Sequence, residues 1–193
     1  MVAVDFEIKN FTLGKLEKGK YIESFLASYE QNGNHREWEL VKAHRSVAIL
    51  IYHRQKDAFI LVKQFRPAVY NNNGHGVTYE LCAGLVDKDI SLQQIAQEEI
   101  FEECGYQVKI DSVQKITSFY SSVGFAGAKQ TLYYCEVEES DKINNGGGID
   151  TEEIIVEYLP TSKAKTFIFD EDIAKTSGLM FAFLWWFEHK SSR

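Results

Sequence analysis

Positive charge is scarce in this chain: 21 Lys and Arg stand against 28 Asp and Glu in 193 residues, a formal net charge of −7. Affinity for a nucleic-acid backbone needs clustered Lys and Arg, so this balance argues against nucleic acid as a partner. Any anionic ligand would need cations supplied locally. Cysteine is also sparse. Cys82, Cys104 and Cys135 are odd in number and have no C-x-x-C spacing, which indicates neither a disulfide framework nor a zinc site. Free thiols in a reducing compartment are expected. No stretch reaches 18 uncharged apolar residues, so no contact with a membrane is expected. Residues 1–25 carry Lys, Glu and Asp throughout, without the apolar core of a secretory signal. Together these absences predict a soluble cytoplasmic protein, in which Asn10-Phe11-Thr12 matches a glycosylation acceptor by chance. There is no internal repeat and no convincing domain linker.

What is present suits one α/β domain with a substantial core, since 45% of residues are hydrophobic and 13% aromatic. The first third reads as hairpins. Tyr21–Tyr29 and Arg36–Ala43 flank Gln31-Asn32-Gly33-Asn34, whose Asn-Gly pair is a strong hairpin signal. This hairpin could be an arm for pairing with another chain. Its Trp38 suits either stacking on a nucleobase or cross-strand packing. Ser46–His53 and Ala58–Phe65 read as a second hairpin. The run ending Phe65-Arg66-Pro67 leaves Arg66 at a strand end, where its planar fork could grip a diphosphate. Asn71–Gly76 reads as a flexible polar loop in which His75 is either solvated or titrates near a ligand. Val77–Ala83 reads as a strand delivering Gly84, where a glycine permits close backbone approach.

The segment Ser91–Gly105 reads as a helix, with a capping box at Ser91-Leu92-Gln93-Gln94 and Gly105 as the left-handed stop. Leu92, Ile95 and Ala96 start an apolar stripe, and at 100° per residue Glu99, Glu102 and Glu103 continue it. Acids at a helix C-terminus are disfavoured by about 0.3–1 kcal/mol each, and neighbouring like charges by roughly 0.2–0.5 kcal/mol. A solvated face would tolerate them. The alternative is a hard divalent cation such as Mg²⁺, which binds oxygen donors and bridges to substrate phosphates.

Later, Gln107–Phe119 suggests one strand or two, Gln130–Val137 another, and Ser121–Gly127 a small-residue loop that could lie over a ligand. Asn144–Gly148 reads as mobile. It leads to Asp150-Thr151-Glu152-Glu153, either a solvated linker or a hinged loop that brings a general base over the site. Asp170-Glu171-Asp172 reads as an acidic helix start, with Thr176 or Ser177 as an alternative cap, and Leu179–Phe187 as a buried helix.

From Gly84 to Tyr106 the chain resembles the Nudix box, G-x5-E-x7-R-E-U-x-E-E-x-G-U, where U is bulky and apolar. Gly84, Glu99, Ile100, Glu102, Glu103, Gly105 and Tyr106 fall on pattern positions. Ile90 and Glu98 stand where the family has Glu and Arg, so the pair that normally braces the loop is missing. With Val62–Tyr70 and Glu80–Asp87, the chain is similar to the UDP-sugar diphosphatases of the ADP-ribose pyrophosphatase branch of Nudix hydrolases. The resemblance implies an α/β/α sandwich around a mixed β-sheet, with an N-terminal antiparallel strand arm (residues 1–45) before the Nudix domain (46–193). It implies a homodimer whose arms contribute to the partner's site.

The implied reaction is Mg²⁺-dependent hydrolysis of a nucleoside diphosphate sugar, UDP-glucose to UMP and glucose 1-phosphate first and ADP-ribose second, with Mn²⁺ as a substitute. By position, Glu99, Glu103 and the Ala83 carbonyl would bind metal and Glu102 would assist. Arg66 would bind substrate beside Gly84 and Trp38, and Asp150 or Glu152 would be the base. A nucleotide-sugar binding module that has lost turnover is the alternative, motivated by Ile90 and Glu98.

Overall fold

A computed structural model describes residues 6–19, 21–149 and 152–191. Strands β1 (Glu23–Gln31) and β2 (Asn34–Lys42) form a separate two-stranded sheet. Their turn uses Asn32 and Gly33, both at positive φ, which matches the right-handed twist of the flanking strands. The remaining elements are β3 (Ser46–His53), β4 (Ala58–Phe65), α1 (Pro67–Asn73), β5 (Val77–Glu80), β6 (Cys82–Leu85), α2 (Leu92–Cys104), β7 (Gln114–Ser121), β8 (Ala128–Val137), β9 (Ile155–Pro160), α3 (Thr161–Phe169) and α4 (Ser177–His189).

Seven strands form one mixed sheet, and β3 is its pivot. The strand runs parallel to β8 along its whole length, pairs antiparallel with β6 through Ser46–Ile49, and with β4 through Ile51–His53. The sheet therefore forks. Beyond the fork β4 pairs with β5 and β9, and the single residue Leu81 carries the chain from β5 to β6.

Alternation along β3 and β4 divides the core in two, because successive side chains point to opposite faces. Val47, Ile49, Ile51, Ile60 and Val62 pack under Ile95, Ala96, Ile100 and Cys104 of α2. Ala48, Leu50, Phe59 and Leu61 pack under Ala164 and Ile168 of α3 and Leu179, Ala182, Phe183 and Trp186 of α4. The result is the expected α/β/α sandwich around a mixed sheet.

Three local expectations are corrected, and one helix, α3, had no expectation. Asn71–Gly76 is not wholly loop: Pro67 starts α1 and left-handed Gly74 stops it, while the Asn73 side chain accepts from the His75 and Gly76 amides. Helix α3 starts straight after Pro160 at a segment without a helix-start signal. Asp170–Asp172 does not start a helix; Thr176 caps α4 instead. The glycine run is docked rather than loose. Gly147 and Gly148 donate to the carbonyls of Glu103 (2.9 Å) and Glu102 (3.1 Å), filling acceptors left open at the end of α2. Both residues take positive φ, which only glycine adopts at low cost.

Candidate active site

Helix α2 begins with both halves of the capping box in place and ends at Gly105 in the left-handed region. That phase fixes the acids. Glu103 is 5% exposed, and its Oε2 accepts from the Ala83 N–H at 2.9 Å. In an extended strand a residue's N–H and C=O reach the same edge, so the Ala83 carbonyl belongs to this neighbourhood. Glu99 lies against Gly84, where a Cβ would overlap its carboxylate. A side chain there would push the Glu99 carboxylate out of this position.

The electrostatics are those of a site short of positive charge. Burial, then the neighbouring Glu102 and Glu152 charges, push Glu99 up to about 7. Glu103 is pushed up to about 8, chiefly by burial and with Glu99 and Glu152 adding to it, against the opposing Ala83 hydrogen bond. Among the described residues no three His, Cys, Asp or Glu side chains converge into a ready metal cluster. Two carboxylates plus a backbone carbonyl nevertheless fit Mg²⁺ by donor chemistry, since it rarely takes an all-protein cage and completes its shell with waters and phosphate oxygens.

The Glu102 carboxylate, close enough to act on Glu99, lies 3.8 Å from the Lys88 ammonium. Lys88 also bridges Glu98 at 2.5 Å. This corrects the expectation of an unbraced loop: the loop-to-helix pair is present with its polarity reversed, a lysine two residues before Ile90 reaching the acid that replaces arginine. The signal was legible, since an acid at position 98 calls for a nearby cation in the loop.

Arg66, at the end of β4, is held side-on by Glu80. Its Nε donates to Oε1 at 2.7 Å and its Nη2 to Oε2 at 2.9 Å. Thr78 Oγ1 donates to the same Oε1 at 2.7 Å. Burial raises the Glu80 carboxyl, but the Arg66 bonds and charge outweigh it and hold the group below the ordinary range. Glu103 and Glu152 also act on the Arg66 charge, which places the guanidinium within the field of the acids. Sequence reasoning gave Glu80 no role because the pairing becomes visible only once β4 and β5 are in register.

Glu152 is close enough to influence Glu99, Glu103 and Arg66, and its Oε2 accepts from the Ile149 N–H at 3.0 Å. Asp150 lies outside the described residues. Trp38 is 55% exposed and faces Ala27 across the hairpin. Its indole N–H donates to the Gly124 carbonyl at 2.7 Å, and Val41 N–H donates to Phe125 O at 2.8 Å. The arm thus holds the 122–127 loop. That loop meets a cavity of about 500 Å³ lined by Glu80, Ala83, Phe119, Ser121, Ser122 and Thr176. His75 is exposed in a turn after α1.

Comparison with known proteins agrees with this geometry. Residues 42–176 match the NUDIX domain. The chain is 35% identical to the bovine protein named uridine diphosphate glucose pyrophosphatase NUDT14, over 93% of this chain and 94% of that one. It is 32% identical to the mouse protein of the same name, with the same coverage. It is also 32% identical to a GDP-mannose pyrophosphatase of Yersinia pestis, over 91% of this chain and 82% of that one. By these matches, with Gly84, Glu99 and Glu103 on pattern positions of the box, the chain belongs to the Nudix family.

Proposed function

We propose that the protein hydrolyses the diphosphate bond of nucleoside diphosphate sugars with Mg²⁺, UDP-glucose to UMP and glucose 1-phosphate being the leading reaction. The observation that carries this reading is the pair of mutually repelling carboxylates, buried Glu103 beside the Ala83 backbone and half-buried Glu99 against Gly84, with Arg66 within the field of Glu103. The relatives' names support the substrate class. They also bring GDP-mannose alongside ADP-ribose as a substrate to compare.

In this reading Glu99, Glu103 and the Ala83 carbonyl hold the cation, with Mn²⁺ able to replace it. The bound cation would neutralise charge developing on the diphosphate oxygens. Arg66 orients the diphosphate through the donors that Glu80 leaves free. Gly84 keeps the backbone low enough for Glu99 to approach. Glu152 takes a proton from the attacking water, Asp150 is its alternative, and Glu102 supports the helix end from beside Lys88. Trp38 contributes at the substrate cleft.

The hairpin sheet is exposed on both faces at Phe25, Leu26, Tyr29 and Trp38, which supports a homodimer built through an arm at residues 1–45 ahead of a catalytic unit at 46–193. The three free thiols support a cytoplasmic location. Among the described residues no helix is long and apolar enough to cross a membrane. The Lys88–Glu98 bridge supplies a loop-to-helix contact where the family's usual pair is absent, which supports the enzyme over an inert binding module.

The test is a phosphatase-coupled assay of UDP-glucose, GDP-mannose and ADP-ribose with Mg²⁺. Release of phosphomonoesters that stops on chelation is expected, with UDP-glucose turned over fastest. Tight calorimetric binding of UDP-glucose without turnover would overturn the hydrolase reading.

A further inference from the structure

Glu80 lies in the cavity wall, three residues before Ala83, and is 12% exposed at its side chain. A carboxylate beside a diphosphate site repels the ligand unless its charge is committed elsewhere. Here it is committed. Both Glu80 oxygens bind one guanidinium edge, and the buried Thr78 hydroxyl adds a third hydrogen bond.

A guanidinium has five N–H donors in a rigid plane. The side-on contact uses the Nε hydrogen and one Nη2 hydrogen, leaving the other Nη2 hydrogen and both Nη1 hydrogens. Of those three, one on Nη1 and one on Nη2 point the same way along the end-on edge, the fork that matches two phosphate oxygens, while the second Nη1 hydrogen points back beside Cδ. The free rotation of a long side chain is thereby removed before ligand arrives, and preorganisation of this kind strengthens binding by lowering its ordering cost.

We propose that Glu80 is a positioning residue for substrate, fixing Arg66 side-on so that its end-on edge is presented to the diphosphate, with Thr78 fixing Glu80 in turn. The proposal rests on the assignment of Arg66 to the diphosphate. Glu80 itself touches neither the substrate nor the cation, and its effect passes through Arg66.

A double-mutant cycle on the full-length protein tests this, using KM and kcat for UDP-glucose with Mg²⁺ and the calorimetric Kd of UDP with Ca²⁺. Glu80→Gln should raise KM and Kd about tenfold with kcat within about twofold, the pattern of lost uniform binding. In an Arg66→Ala background the same change should add less than about twofold, because contacts acting through a shared partner are not additive. Thr78→Val, which keeps the shape and removes the donor, should raise Kd about two- to threefold, again only when Arg66 is present. Equal Glu80→Gln effects in both backgrounds would overturn the proposal, as would an unchanged Kd in Glu80→Gln beside a raised one in Arg66→Ala. If Arg66→Ala alone leaves Kd and KM at wild-type values, the diphosphate assignment fails first and this proposal with it.

Discussion

Two largely covered glutamates of one site behave in opposite ways. Glu80 and Glu103 are 12% and 5% exposed, yet Glu80 is held below the usual carboxylate range while Glu103 is pushed up to about 8. Burial acts upward on both. The difference is the partner: Glu80 has a permanent cation in Arg66, whereas Glu103 has one backbone N–H and the like charge of Glu99. A buried charge without a fixed counter-charge is costly unless something exchangeable neutralises it. The contrast separates the half of the site that is complete in the folded chain from the half that a cation would complete.

The largest expected effect removes the incomplete half. Glu103→Gln should lower kcat by a factor on the order of 10² to 10³, the scale of removing a group that stabilises developing charge. The amide oxygen still accepts from Ala83 N–H, so circular dichroism and melting of the metal-free variant should match or exceed wild type. A near-wild-type kcat would end the distinction between the two glutamates.

The second effect is a dependence of stability on pH. Glu99 and Glu103 bind protons more tightly folded than unfolded, so their contribution is complete below the ordinary value of 4.5 and is lost as pH rises through about 7 to 8. Glu80 has the opposite sign. Its contribution is present above the ordinary carboxylate value and is lost as pH falls through its lowered one. Metal-free protein should therefore melt at lower temperature at pH 8 than at pH 6, and Mg²⁺ should restore more at pH 8, where it competes with fewer protons. Melting curves with and without chelator at the two pH values measure this, and a Mg²⁺ increment independent of pH would blur the contrast.

A smaller effect concerns the frame around both groups. Gly147→Ala places a side chain at φ +116°, outside the regions open to L-residues, and loosens the bond to the Glu103 carbonyl. A loss of about 1–3 kcal/mol is expected, read by chemical denaturation. Lys88→Ala should cost least. Its bridge to Glu98 is nearly half exposed on both sides, and such pairs contribute about 0–1 kcal/mol. Exchanging the charges with Lys88→Glu and Glu98→Arg together should return what either change alone removes.

Much of this arrangement was legible in local letters. The capping box, Gly105 and the stripe from Leu92 fixed the phase of α2, and phase alone turned Glu99 and Glu103 inward. The Asn-Gly turn and the β-branched run at Ser46–Phe65 located both hairpins. What was hidden depends on register between distant segments. Glu80 meets Arg66 because β5 folds back on β4, a pairing of residues 14 apart. The glycine run looked loose because its composition is flexible, but its donors have partners on a helix 44 and 46 residues earlier. Helix α1 was masked by three asparagines whose side chains favour turns, a preference outweighed by Pro67 and Gly74 at its ends.

The docking of Gly147 and Gly148 onto α2 also has a mechanical meaning. Gly147 and Gly148, shortly before Glu152, are pinned to the same helix end that supplies Glu103, so in the proposed reading the base and the cation ligands would share one anchor. A shift of the helix terminus would carry both together, preserving the spacing between them. Rigid coupling of this kind lets the chain use its least constrained residues to hold its most demanding distance.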